Sequence, residues 1–276
     1  LAGTRLFRYK SPQGSPLTIV WRVFFLAFKK RKLPHPSDPS FLNGYQTSKI
    51  QYTPMFKCLD KAAIIDDFAA KDENRYNQWI VSTMTEVEEV KMVLKLFPIW
   101  STCILFWTVY SQMTTFTIEQ ATFMDRQVGL FNVPAGSFSV FLFLSILLFT
   151  SLNERVFVPL ARRLTGNVQG LTSLQRVGVG LVSAMTAMIA AAIVEMQRKE
   201  KAQHGVKISA FWLVPQYFFV GAGEGFAYVG QLEFFIREAP ERMKSMSTGF
   251  FLSSLAMGFY VSSLLVSVVD ETSHET

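Results

Sequence analysis

The chain has 276 residues, 50% of them hydrophobic and 14% aromatic, with 26 Phe and only 17% charged residues. Its net charge of +6 is not a nucleic-acid footprint, because the largest basic cluster, Lys29-Lys30-Arg31-Lys32, sits in a polar leading region where the positive-inside rule accounts for it. Two cysteines in different environments, Cys58 and Cys103, give no disulfide framework, and His35, His204 and His274 are too scattered for a metal site, so no cofactor is expected.

The leading region, residues 1–91, is punctuated by turn-rich stretches such as Ser11-Pro12-Gln13-Gly14-Ser15-Pro16 and Pro34-His35-Pro36-Ser37-Asp38-Pro39. Within it, Leu17–Phe28 is apolar enough for an amphipathic interfacial or packing helix and too short to span a bilayer. Thr85-Glu86-Val87-Glu88 fits a capping box opening the first long helix, with Thr85 as its cap.

From there the apolar residues arrive in uncharged blocks: Leu96–Ile118, Gln127–Asn153, Val177–Val194 and Ser245–Val269. Each reaches or approaches the ~20 residues that a transmembrane helix needs. With the stretch around Glu224, Ser209–Leu232, they predict five spans near 92–118, 134–158, 173–195, 208–236 and 246–269. The expected fold is an all-α polytopic membrane protein, with residues 1–91 cytosolic and residues 92–270 forming the bundle. Basic residues at Arg162-Arg163, Arg176, Arg237, Arg242 and Lys244 agree with that orientation. Arg198-Lys199-Glu200-Lys201 opposes it. The chain opens on Leu1 and closes soon after the fifth span, so a piece of a longer protein is expected.

Glu224 is the one charge in the stretch Ser209–Leu232. A carboxylate at that depth costs ~2.5–3.5 kcal/mol on insertion scales, and such residues usually mark an ion, proton or substrate path. At helical spacing it shares a face with Gly221, Tyr228 and Gln231, flanked by Gly223 and Gly225, which permit close helix approach. In the first span, Cys103, Trp107, Tyr110, Thr114 and Thr117 fall on one face. Two such stripes facing each other would line a polar cavity near the midplane. The plainer readings are a protonated Glu224 holding two helices together, packing aromatics at Trp107 and Tyr110, and threonines bonded to their own helix. Glu119, Asp125, Glu195 and Glu233 lie near span ends and read as interfacial. A membrane enzyme finds no nucleophile–base pairing, metal cluster or phosphate loop.

Several segments, in order, resemble one family. They are Leu59-Asp60-Lys61-Ala62-Ala63, Thr85-Glu86-Val87-Glu88-Glu89-Val90-Lys91, Phe97-Pro98-Ile99-Trp100 and Phe106-Trp107-Thr108-Val109-Tyr110-Ser111-Gln112. Val158-Pro159-Leu160-Ala161-Arg162-Arg163, Gly170-Leu171-Thr172-Ser173-Leu174-Gln175-Arg176, Gly223-Glu224-Gly225 and Met243-Lys244-Ser245-Met246-Ser247-Thr248-Gly249 continue the match. The chain is thereby identified as resembling the plant nitrate/peptide transporter family, among the proton-dependent oligopeptide transporters of the major facilitator superfamily.

That resemblance implies a partial major facilitator fold: the central cytosolic linker plus helices seven to eleven, working by alternating access with an N-terminal six-helix half. Glu224 then falls at the family's tenth-helix acid. Trp107, Tyr110, Gln112 and Thr114 lie on the cavity-lining seventh helix, and Tyr228 and Gln231 complete the candidate substrate and proton site. Glu154 and Arg155 with Arg162 and Arg163 resemble a charged cytosolic turn that acts as a conformational latch. The family's first helix, which carries its ExxER motif, falls outside the helices this resemblance assigns to the chain. The function implied is a proton-coupled symporter of nitrate, with di- or tripeptides, chloride or a hormone as alternative solutes. A truncated product that only associates with a partner is the alternative of another class. The expected partners are the lipid bilayer, protons and a small solute. The plasma membrane is the expected address, with the vacuolar membrane second.

Overall fold

The computed structural model describes residues 15–34, 36, 38–48, 50–65, 79–166 and 170–274. These are mostly helical and divide into two compact units. One comprises the described residues up to Phe97 together with Arg237–Gly249, and the other Pro98–Ile236 with the described residues from Phe250 onward.

In the first unit, α1 (Pro16–Lys29) starts on a proline at its first position, where the missing N–H costs no intrahelical bond. It buries Ile19, Arg22, Val23 and Leu26, which fall at helical spacing on one face. Arg22 is turned inward and pairs with Glu86 at 2.5 Å. A short helix α2 (Lys57–Asp60) passes into a 3₁₀ turn, Lys61–Ala63. Helix α3 (Met84–Lys95) is capped by Thr83, not by the expected Thr85. Both threonines satisfy the capping-box spacing. Thr83 has the extended backbone a cap requires, its hydroxyl accepts from Glu86 N, and the Glu86 carboxylate accepts from Thr83 N. Glu88, the partner that Thr85 would need, is spent on Lys91 instead.

The second unit holds α4 (Phe97–Thr122), a hairpin of β1 (Gln127–Val128) and β2 (Phe131–Asn132), and α5 (Ser139–Leu152). A π-helical turn, Asn153–Phe157, joins α5 to α6 (Val158–Thr165), which ends on Gly166 in the left-handed conformation. Helix α7 (Ser173–Gln203) begins with a capping box between Thr172 and Gln175. Helices α8 (Val214–Glu238) and α9 (Lys244–His274) follow.

Among the described residues, four helical stretches are long and apolar enough to cross a membrane. They are Met84–Thr122, Ala135–Leu164, Ser173–Gln203 and Glu241–Thr272, with mean hydropathies of 1.6, 2.0, 2.2 and 1.8. Their outward side chains include Leu105, Phe143, Leu147, Met185, Ile189 and Leu264, all more than half exposed, a surface suited to lipid. Helix α8, which carries Glu224, is long enough but is not among these four. Its polar residues explain the difference. Gln216 and Gln231 are fully buried among other helices, so they find protein partners and need no lipid-compatible surface. The close packing around α8 depends on Gly221: a Cβ there would lie 2.7 Å from the Leu142 carbonyl oxygen of α5.

Candidate solute and proton site

The polar stripes of α4 and α8 meet. Trp107 Nε1 donates to Gln231 Oε1 at 2.9 Å, and the two side chains are 2% and 0% exposed. The Trp107 ring makes edge contacts with Tyr110 at 5.5 Å and with Tyr228 at 6.2 Å between centroids. Tyr228 also meets Phe251 of α9, at 5.1 Å. Beyond this aromatic layer the Tyr110 hydroxyl lies beside the Glu224 carboxyl. Glu224 is half-buried, and its Oε2 has no hydrogen-bond partner among the described residues. Neither α4 nor α8 carries a basic residue before Arg237, at the end of α8. The arrangement can therefore hold one proton or one negative charge at Glu224, with a phenol beside it and one oxygen left for another donor.

Five of the seven sequence-expected site residues thus stand together: Trp107, Tyr110, Glu224, Tyr228 and Gln231. The buried pair, Trp107 and Gln231, forms the base of the group, while Tyr110, Glu224 and Tyr228 keep part of their surface open. The other two stand apart. Thr114 donates its hydroxyl to the carbonyls of Tyr110 and Ser111, both at 3.0 Å. Gln112 faces a cleft of about 500 Å³ lined by residues of α4 and α7, including Phe116, Met188, Glu195 and Arg198, and by Phe123 just past α4. Of the charged turn, Glu154, Arg155, Arg162 and Arg163 are all exposed and make no ion pair among the described residues. Asn153, which opens the π-helical turn, is buried. No group of three or more His, Cys, Asp or Glu able to hold a metal occurs among the described residues.

Two polar clusters escaped the sequence reading. In the bundle, Gln216 Nε2 donates to Thr117 Oγ1 at 2.9 Å and to Gln120 Oε1 at 3.3 Å. Gln120 Nε2 in turn donates to Glu195, which Arg198 grips through two bonds of 2.6 and 2.7 Å. This chain ties α4, α7 and α8 together. Its signal was two glutamines within apolar helices, which no single-helix stripe picks out. In the first unit, Lys91 Nζ lies 2.6 Å from Asp60 and 2.8 Å from Glu88, and donates to Thr53 O at 2.9 Å. All three charged side chains are 0–1% exposed. Tyr52 donates its hydroxyl to Asp60 and lies under the Lys91 ammonium, 4.9 Å from its ring centroid. Burial, then the Asp60 charge, pushes the Tyr52 phenol up to about 12.

Comparison of the sequence and the fold with known proteins points to one family. The profile of PTR2, the POT family, matches residues 1–276. The chain is 66% identical to Protein NRT1/PTR FAMILY 6.4 of Arabidopsis thaliana, over 100% of this chain and 48% of that protein. It is 43% identical to Protein NRT1/PTR FAMILY 6.3 of the same plant, over 98% of this chain and 49% of that protein. The chain spans about half the length of the curated relatives it matches. Among solved structures it is similar to the POT family transporter PepTSo, with a TM-score of 0.57 and 21% identity, covering 95% of this chain and 48% of that one. It also resembles an auto-inhibited POT family peptide transporter, with a TM-score of 0.58 and 20% identity, covering 98% of this chain and 49% of that one. At such identities the structures speak for the fold alone, a partial major facilitator arrangement. Together with the apolar helices, the profile match makes this an integral membrane protein, and the chain belongs to the POT family.

Proposed function

We propose that this chain forms one wall of the solute site of a proton-coupled symporter, with Glu224 as the group that takes up and releases the proton. The observation that supports the reading best is the Glu224 carboxyl itself, half-buried on a packed helix, beside the Tyr110 phenol and with Oε2 unpartnered among the described residues. A carboxyl so placed changes its preferred charge when the cavity around it is wetted or closed. Neither stripe supplies a fixed cation, so a proton on Glu224 is the means by which this wall neutralises itself when an anion enters. That favours a small anion moving together with a proton, and nitrate is the leading solute through the resemblance of the sequence. A peptide is the alternative, because a solved relative carries the description of a peptide transporter. On the same reading, residues 1–91 are a cytosolic segment preceding the bundle of residues 92–270. The exposed Glu154, Arg155, Arg162 and Arg163 serve as its latch, with partners outside the described residues.

The test is uptake by the intact transporter bearing this chain, reconstituted in proteoliposomes with an inward proton gradient. Labelled nitrate should accumulate, labelled dipeptide should not, and Glu224→Gln should abolish gradient-driven accumulation while leaving the protein folded. Accumulation retained in folded Glu224→Gln overturns the role of Glu224. Dipeptide accumulation without nitrate accumulation replaces the solute.

A further inference from the structure

Helix α1 is apolar on two opposite faces, and among the described residues only one of them is covered. Ile19, Val23 and Leu26 pack inward and are 5%, 0% and 0% exposed. Leu17, Trp21, Phe24 and Phe28, at the spacing of a single helical face, point away and are 66%, 68%, 42% and 67% exposed. Arg22, the charged residue within this stretch, is turned inward onto Glu86, so the outward face carries no charge. The inward face is fixed, because Lys30 also reaches across to donate to the Ile64 carbonyl. Basic residues then follow the outward face: Lys29, Arg31 and Lys32 are exposed, and the Arg31 guanidinium sits 4.6 Å from the Phe28 ring centroid.

A Trp-, Phe- and Leu-bearing face ending in exposed Lys and Arg matches a bilayer surface in both apolar character and charge. Helix α1 also pairs with α3, the opening stretch of the Met84–Thr122 helix that is long and apolar enough to cross a membrane. We propose that α1 is an in-plane anchor whose Leu17-Trp21-Phe24-Phe28 face beds into the lipid headgroup boundary, with Lys29, Arg31 and Lys32 on anionic headgroups. The resulting contact would fix the first unit to the membrane without a further span.

The protein in bilayer nanodiscs tests this. Phe24→Cys or Leu17→Cys, each in a Cys58→Ser background, carries a fluorescent label, and a label at Lys57→Cys serves as the water-exposed reference. Lipids nitroxide-labelled near the headgroup should quench labels at 24 and 17 more strongly than the label at 57. Replacing about one fifth of the phosphatidylcholine by phosphatidylserine should strengthen that quenching, and Lys29→Gln, Arg31→Gln and Lys32→Gln together should reverse the gain, at about fivefold in the docking equilibrium per charge. Labels at 24 and 17 quenched no more than the reference overturn the anchor. Quenching indifferent to phosphatidylserine and to the triple change overturns the anionic surface. Cross-linking of position 24 to a second copy, or to another segment of a longer protein, replaces lipid as the occupant.

Discussion

Trp107 and Gln231 hold each other in a buried pair: the indole N–H donates to the amide oxygen at 2.9 Å, and the amide Nε2 has no partner among the described residues. Trp107→Phe therefore leaves a fully buried glutamine with no bond at all, a loss of ~1–3 kcal/mol. Gln231→Leu strands the indole instead. The double variant Trp107→Phe with Gln231→Leu removes both needs and should regain much of the loss. Thermal unfolding in detergent, analysed as a double-mutant cycle, reads this coupling. Additive losses would mean that the bond contributes nothing beyond packing.

Behind Trp107 stands Gly258 of α9. A Cβ there would press into the Trp107 Cβ and lie 2.9 Å from its carbonyl carbon and 3.0 Å from Thr108 N, backbone atoms that cannot step aside. Gly258→Ala should therefore destabilise by ~1–3 kcal/mol. Gly249→Ala, on the same helix with open space around it, should be neutral or stabilising by up to ~1 kcal/mol, since alanine is the better helix former. Of the two, only Gly258→Ala should lower the apparent melting temperature. Equal effects would sink the claim that α9 packs on α4 at Gly258.

Much of this organisation is legible in the sequence, and the failures have a common physical origin. Uncharged blocks of sufficient length marked the long helices because lipid imposes that pattern on each span by itself. The Glu224 stripe and the Trp107 stripe were readable because both follow a single helical period. Thr83 and Thr85 both fit the cap spacing, and only the side chains around Glu88 decide between them. The network of Gln120, Glu195 and Gln216 joins three helices, so no periodicity within one of them reveals it. Gln112 lies only two residues beyond Tyr110, and that offset turned it toward α7 instead of Glu224.

Lys91 lies too deep to find water if its partners are lost: it is 0% exposed and holds Asp60 and Glu88 together. Lys91→Met would leave two carboxylates buried side by side, at a cost of ~3–5 kcal/mol. Adding Asp60→Asn and Glu88→Gln should recover part of it by removing the stranded charges. Protease resistance of the first unit, scored on both variants, measures the effect. Lys91→Met behaving like the unaltered protein would show that the cluster is dispensable.

Tyr52 gives this cluster an alkaline limit. Its phenol, ordinarily near 10, is pushed up to about 12 by burial and then by Asp60, to which it donates at 3.1 Å. The folded chain thus holds the proton more tightly than the unfolded chain does. That contribution to stability is fully present below pH 10 and is lost as the pH rises from 10 to about 12. Tyr52→Phe keeps the ring under the Lys91 ammonium and removes the ionisable group. Its melting temperature should fall less steeply over that window than that of the unaltered protein, with the two curves running parallel at lower pH. Parallel curves throughout would show that Tyr52 ionises as freely in the folded chain as in the unfolded one.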